Sequence, residues 1–168
     1  MKLREFHIED APTILSWCKT REAFRRWSAD RYKTFPAQPE EMASQYEGSN
    51  IYPLTAVDDE GNVLGHIMIR IPNPERPSSV RLGFVIVDDS LRGKGLGKNL
   101  LRETIAYAAE HFSAEEITLG VFANNPPALK CYESVGFMTT GNEEYEIDGE
   151  MWDCIEMRLQ LTKSQKGK

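Results

Sequence analysis

The run Arg92-Gly93-Lys94-Gly95-Leu96-Gly97-Lys98 holds residue types that could hold a phosphate. A glycine-rich turn that opens a helix leaves several backbone N–H groups without carbonyl partners. Their partial positive charge adds to the helix dipole, and the result is a binding end for phosphate oxygens. Two familiar glycine loops can be rejected by counting. A nucleotide P-loop needs G-x-x-x-x-G-K-[ST], but Arg92 stands where the first glycine belongs and Asn99 replaces the hydroxyl residue. A dinucleotide fingerprint G-x-G-x-x-G would demand glycine at Lys98 or Leu100. The pattern that fits is R-x-x-G-x-G, with Arg92, Gly95 and Gly97. The expectation is a phosphorylated cofactor held mainly by the backbone N–H groups of Gly93 to Lys98, Leu96 included. Arg92 and Lys94 add charge beside that nest, while Lys98 and Arg102 either join them or simply solvate the surface.

Such a loop works only where a strand delivers it and a helix follows. Val80 to Val87 is a β-branched, strongly apolar run that reads as a buried strand. After the loop, Leu101, Ile105, Ala108 and Phe112 recur on one helical face. Upstream, Lys2 to His7 reads as a strand, and a helix begins near Asp10 and Pro12. A second short helix spans Thr20 to Trp27 with Thr20 as its cap; Ser28 to Pro39 is a loop, and Pro39-Glu40-Glu41 opens another helix. Tyr52 to Val57 and Val63 to Ile71 are strands joined by Asp58-Asp59-Glu60-Gly61-Asn62, and Pro72 to Pro77 breaks the sheet. Downstream, Ile117, Leu119 and Val121 alternate on a strand that runs into Asn124-Asn125. A short helix then presents Ala128, Leu129, Tyr132 and Val135, and Asp148-Gly149 turns between two terminal strands.

The R-x-x-G-x-G loop at a strand-to-helix junction resembles the pyrophosphate loop of the GNAT superfamily, the acetyl-CoA-dependent N-acetyltransferases. The segment Asn125-Pro126-Pro127-Ala128-Leu129-Lys130-Cys131-Tyr132-Glu133-Ser134-Val135-Gly136-Phe137 looks like that family's N-x-x-A-x-x-x-Y-x-x-x-G-F motif, matching at Asn125, Ala128, Tyr132, Gly136 and Phe137. Leu3-Arg4 and Ile8-Glu9-Asp10-Ala11 also look like the family's opening, so the resemblance covers essentially the whole chain. The opening helices and the Trp27-Ser28 neighbourhood look most like the branch of ribosomal-protein and small-amine acetyltransferases. The resemblance implies an α+β fold: a mixed, mostly antiparallel sheet of about seven strands with helices on both faces. In that fold the long strand splays from the strand ending near Asn124. Backbone groups of Phe84, Val85, Ile86 and Val87 would then pair with the pantetheine arm of acetyl-CoA, leaving no buried backbone group unsatisfied.

The reaction implied is direct transfer of acetyl from the thioester to a primary amine of a small molecule or peptide. No covalent enzyme intermediate is needed, so the lack of a Cys–His or Ser–His–Asp pattern is no objection. The family's general acid falls on Tyr132. A phenol of pKa about 10 is protonated at neutral pH and can donate to a departing thiolate; the competing reading is a core tyrosine. Asn125 resembles the family residue that bonds the cofactor arm, with a helix N-cap as its competing role. Many relatives carry a glutamate base two residues before the strand glycine, where this chain has Arg81. Deprotonation would then run through water to a carboxylate elsewhere, with Glu146 and Glu150 as candidates. Arg81 itself either grips an anionic acceptor or, the favoured reading, pairs with an acid on the sheet surface. His66 and Cys131 read as structural, the latter as a small hydrophobe in the helix–sheet interface. The acceptor would be read by the loops Trp27 to Pro39 and Pro72 to Pro77 and by the terminal hairpin, with Trp27, Tyr32, Phe35 and Trp152 as candidate lining. Without the strand carboxylate, the alternative is a non-catalytic acyl-CoA-binding or regulatory module.

Bulk composition agrees with one enzyme-sized domain. The 168 residues are 40% hydrophobic and 27% charged, an ordinary globular balance. We expect one domain over 1–162 and a frayed tail over 163–168. The net charge of −6 argues against a nucleic-acid binder and mildly favours cationic amines. No apolar run approaches the ~20 residues of a membrane span, and Met-Lys-Leu-Arg-Glu lacks a signal-peptide core. Cys18, Cys131 and Cys154 form neither a disulfide framework nor a metal pattern, which points to a reduced cytoplasmic setting without a metal. Self-association through terminal strands or the sheet edge is a further expectation.

Overall fold

Seven strands form in the computed structural model, which describes residues 1–162: β1 (Lys2–Glu5), β2 (Ile51–Val57), β3 (Val63–Arg70), β4 (Ser79–Val87), β5 (Glu116–Phe122), β6 (Met138–Ile147) and β7 (Glu150–Gln160). The tail 163–168 lies outside the described residues. The helices are α1 (Ala11–Ser16), α2 (Arg21–Ser28), α3 (Pro39–Ser44), α4 (Leu96–Phe112) and α5 (Pro126–Ser134). The strands make one mixed sheet in the order β1-β2-β3-β4-β5-β7-β6. Every neighbouring pair is antiparallel except β4 with β5, which are parallel. Helices cover both faces, as expected.

The local signals act where the residues suggest. Thr20 caps α2 by accepting from the Ala23 N–H at 3.1 Å. Asp148 and Gly149 both have positive φ, +50° and +86°, and close the β6–β7 hairpin as an Asp-Gly turn should. Asp10 ends a short 3-10 turn before α1 rather than opening the helix by a side-chain cap. Its carboxylate accepts two bonds from Arg4 at 2.7 Å, one from the His7 N–H at 3.1 Å and one from the Thr55 hydroxyl at 2.8 Å. Burial works to raise this carboxyl, but the four donors outweigh it and hold it at about 2. This network ties β1, α1 and β2 together.

Two cores fill the two faces. Leu100, Leu101, Ile105 and Ala108 of α4, with Tyr132 of α5, pack on Ile67, Ile69, Val80, Leu82, Ile117 and Leu119 of the sheet. On the other face, Ile14, Trp17, Phe24, Tyr32 and Met42 gather around Ile86. Along β4 the alternation changes hand. Val80 and Leu82 point to the α4 face, but Ile86 and Phe84 join the opposite cluster, while Val85 and Val87 join the α4 face. The cause is a bulge: Met68 is opposite Gly83 and His66 opposite Ile86, so Phe84 and Val85 together face Ile67. One extra residue shifts every later side chain to the other face. Phe84 takes φ +50° to make this turn.

The bulge also swings β4 away from β5. Their parallel pairing covers only Ser79–Arg81 against Glu116–Thr118. Beyond it, β4 bonds to β3 alone and β5 to β7 alone, so the facing edges of the two strands open into a wedge.

Candidate active site

The loop that ends β4 is pre-shaped before α4 begins. Asp88 accepts from the Ser90 N–H at 2.8 Å and folds a short 3-10 turn, after which the chain runs extended through Arg92. Gly93 and Gly95 then take φ +78° and +77°, and a Cβ on either would meet nothing within 4 Å. Glycine is required there by the left-handed backbone, not by crowding. The first helical bond of α4 runs from the Asn99 N–H to the Gly95 carbonyl at 3.0 Å. The N–H groups of Leu96, Gly97 and Lys98 therefore precede the ladder, and no side chain caps them.

These N–H groups lie at one end of a cleft of about 650 Å³ that fills the wedge between β4 and β5. Phe84, Val85, Ile86 and Val87 form one wall; Arg92, Gly93 and Gly95 to Lys98 form the loop end; Asn125 and Tyr132 stand on the α5 side. The structure thus brings together all the expected cofactor residues except Lys94, which is exposed and outside the lining. A strand edge without partners beside a glycine nest is a fit for a long amide-bearing arm ending in phosphates.

Tyr132 is 7% exposed, packs edge-on against Phe137 and still lines the cleft. It is a core tyrosine that also borders the cleft. Burial, with the Cys131 thiol beside it, pushes its phenol well above the ordinary value, so it keeps its proton. Asn125 occupies the N-cap position of α5, yet its side chain makes no capping bond. That leaves its amide free for the cleft. Cys131 packs against the α4-face core as a small hydrophobe, its sulfur 3.4 Å from where a Gly97 Cβ would stand, and it also lines the cleft.

No carboxylate lines this cleft among the described residues. Arg81 pairs with Glu156 through two bonds at 2.8 and 2.9 Å, the surface-acid role expected for it. Gly120 makes room for that pair, since a Cβ there would lie 3.1 Å from both side chains. Glu146 and Glu150 are exposed on the β6–β7 hairpin and line no cleft. His66 is fully buried and shares a 2.6 Å hydrogen bond with the Tyr46 hydroxyl; burial holds it at about 3, so it is neutral.

A second cleft, of about 240 Å³, opens from the first beneath α2, and the two share Arg26, Trp27, Leu82, Gly83, Phe84 and Gly120 as walls. Arg25 and Arg21 hold Asp148 at 3.0 and 2.9 Å, tying the tip of the β6–β7 hairpin to α2 on this side. Of the four aromatics expected to line an acceptor pocket, Trp27 lines both clefts. Tyr32 and Phe35 are built into the α1–α3 core, and Trp152 packs on Phe122. The Pro72 to Pro77 loop lines neither cleft. Arg26, Arg31 and Arg70 of the second cleft went unread in the sequence, because they come from α2, the loop after it and β3, which only the fold brings together.

Among the described residues no helix is long and apolar enough to cross a membrane, and no group of three or more His, Cys, Asp and Glu could hold a metal ion.

Residues 17–137 match the family model described as the Acetyltransferase (GNAT) family. The chain is 32% identical to the L-amino acid N-acetyltransferase AaaT of Escherichia coli (strain K12) over 100 residues, 58% of this chain and 62% of that protein. The match therefore spans less than two thirds of that relative. A putative phosphinothricin acetyltransferase, YwnH of Bacillus subtilis (strain 168), is 29% identical over 161 residues, covering 91% of this chain and 94% of the relative. Among solved structures, the spermidine N-acetyltransferase of Vibrio cholerae in complex with CoA and spermine superposes with a TM-score of 0.79, covering 99% of this chain and 98% of that one at 22% identity. That likeness is one of fold.

Proposed function

The chain belongs to the GNAT acetyltransferase family, and on that premise we propose that it transfers the acetyl group of acetyl-CoA to a primary amine. The observation that carries this reading is the wedge itself: two strand edges left unpaired, with a glycine nest at one end and a protonated tyrosine at the side. The named activities of the two sequence relatives, on an amino acid and on phosphinothricin, support an amine acceptor.

Acetyl-CoA supplies an activated acyl thioester, which is why the chain needs no nucleophile of its own. The N–H groups of Leu96, Gly97 and Lys98, flanked by Arg92, hold the pyrophosphate. The β4 edge from Phe84 to Val87 and the free Asn125 amide bond the arm. Phe84 and Val85, which share one partner across the ladder, supply N–H donors toward the carbonyl oxygen as it gains charge. Tyr132 donates its hydroxyl proton to the departing sulfur and regains one from solvent. The acceptor nitrogen loses its proton to water, since no carboxylate lines the cofactor cleft. The three free cysteines fit a reduced, cytoplasmic setting. We further assign self-association to β6, the ten-residue open edge of the sheet, whose hairpin exposes Met138, Tyr145 and Met151; sedimentation of the purified protein as a monomer would exclude it.

The test is thiol release from acetyl-CoA with a panel of amino acids, polyamines and amino sugars. Amine-dependent release at rates above the amine-free control is expected. Saturable acetyl-CoA binding without release for any acceptor would instead make the chain a non-catalytic acyl-CoA-binding module.

A further inference from the structure

The second cleft carries an unusual charge pattern. Its lining includes Arg26, Arg31, Arg70 and Arg81, against a single carboxylate, Asp30. Two of the arginines are ion-paired from outside the lining, Arg81 to Glu156 and Arg26 to Glu22, although the Arg26 Nε is itself buried without a hydrogen-bond partner. Arg31 and Arg70 have no carboxylate within ion-pair distance among the described residues. Arg70 lies directly across the ladder from Arg81, and its Nε is buried without a hydrogen-bond partner. Like charges opposed across two strands are unfavourable, and a buried donor left unmade costs the fold as well. Burial and then the neighbouring Arg81 and Arg31 depress the Arg70 guanidinium. A compact oxyanion would relieve both costs, because a guanidinium fork matches a carboxylate or similar anion with two parallel bonds.

The anion would sit close to the chemistry. The arginine cleft shares Gly83, Phe84 and Gly120 with the cofactor cleft, so a small molecule can reach from one into the other. Resting on the acetyltransferase reading, we propose that the acceptor carries its amine and an oxyanion, a carboxylate or an analogue of one, on the same small molecule, with Arg70 and Arg31 holding the oxyanion. The amine then faces the β4 bulge. The arrangement also addresses the missing base. Guanidinium charges near an ammonium favour its neutral form, which is the form that attacks. A polyamine would meet the opposite field: two or more ammonium groups would have to enter a cleft where Arg31 and Arg70 have no carboxylate partner among the described residues.

The experiment compares thiol release with α-amino acids, the corresponding α-amides and spermidine, for the wild type, Arg70→Gln and Arg70→Lys. The acids are expected to exceed their amides and spermidine in kcat/KM by roughly 10- to 100-fold, the scale of one charge-assisted contact. Arg70→Gln is expected to raise KM for the acids by a similar factor and bring their kcat/KM close to that of the amides, with an unchanged circular dichroism spectrum reporting an intact fold. Arg70→Lys is expected to recover part of the preference. Preference of the wild type for amides or spermidine, or an acid preference that survives Arg70→Gln, overturns the proposal. So does a complex with CoA that binds none of the amino acids in a calorimetric titration. Turnover of spermidine alone would sink the anionic acceptor while leaving the acetyltransferase reading intact; no release with any amine would sink the latter.

Discussion

Tyr132 reaches the cleft from a short helix whose other face is core, so its position is fixed by packing rather than by hydrogen bonds. Tyr132→Phe keeps that packing and removes the proton donor. Its kcat is expected to fall about 100-fold, the lower range for losing a general acid, with acetyl-CoA affinity unchanged by calorimetry; an unaltered kcat would exclude the role. His66 makes a different contribution. It is held neutral at about 3 in the fold, against an unfolded value of about 6.5. As pH falls below 6.5 the unfolded chain takes up a proton that the native chain refuses, so stability drops with acidification. At pH 5 the loss is about 2 kcal/mol, measurable as a lower urea midpoint than at pH 7; an NMR titration of the His66 imidazole with a midpoint near 6.5 would contradict it. The expectations for Tyr132 and Asn125 came from the resemblance of Asn125 to Phe137 to the family motif, and both residues border the cleft. Arg70 and Arg31 were not legible in the sequence: their meeting depends on a register set across the irregular Pro72 to Ser78 stretch and on a loop after α2.

At the level of elements, the junction of β4 and α4 joins two separate devices. The glycines set the N–H groups, and the bulge opens the wedge. Gly95→Ala adds a methyl that meets no atom but must sit at φ +77°. The strain, about 1–2 kcal/mol for a non-glycine residue there, acts on the loop that binds the cofactor. Acetyl-CoA affinity is expected to weaken by roughly tenfold while the circular dichroism spectrum is unchanged; undiminished affinity would show that the loop tolerates another backbone shape. The loop could be read from its glycines. The bulge could not, because Leu82 to Val87 is a continuous apolar run and the left-handed residue is Phe84, not a glycine. In such a run both faces are buried, so the change of hand leaves no trace in hydrophobic alternation. The mixed sheet with helices on both faces was expected from the family resemblance, its strand order was not read, and the turn at Asp148-Gly149 followed from its residue types.

Across the whole molecule, net charge and local charge point in opposite directions. A total of −6 suggests cationic partners, yet the cleft beneath α2 gathers four arginines and one aspartate. The sum over a surface says little about a cleft whose low-dielectric walls focus its own charges. The molecule is also divided by its sheet into an α4–α5 core and an α1–α3 core, with the wedge between β4 and β5 opening where the two meet. A ligand seated there bridges both halves. Acetyl-CoA at a hundredfold excess over its Kd is expected to add about 2.7 kcal/mol to the native state, a rise of roughly 5–10 °C in Tm for a chain of this size. Calorimetric titration of the purified protein with acetyl-CoA, with magnesium-ATP as control, tests the central claim most directly. One saturable micromolar site for acetyl-CoA, with no heat from ATP, is the expected result; a folded sample that binds no acetyl-CoA would reduce the glycine loop to a helix cap and contradict the account.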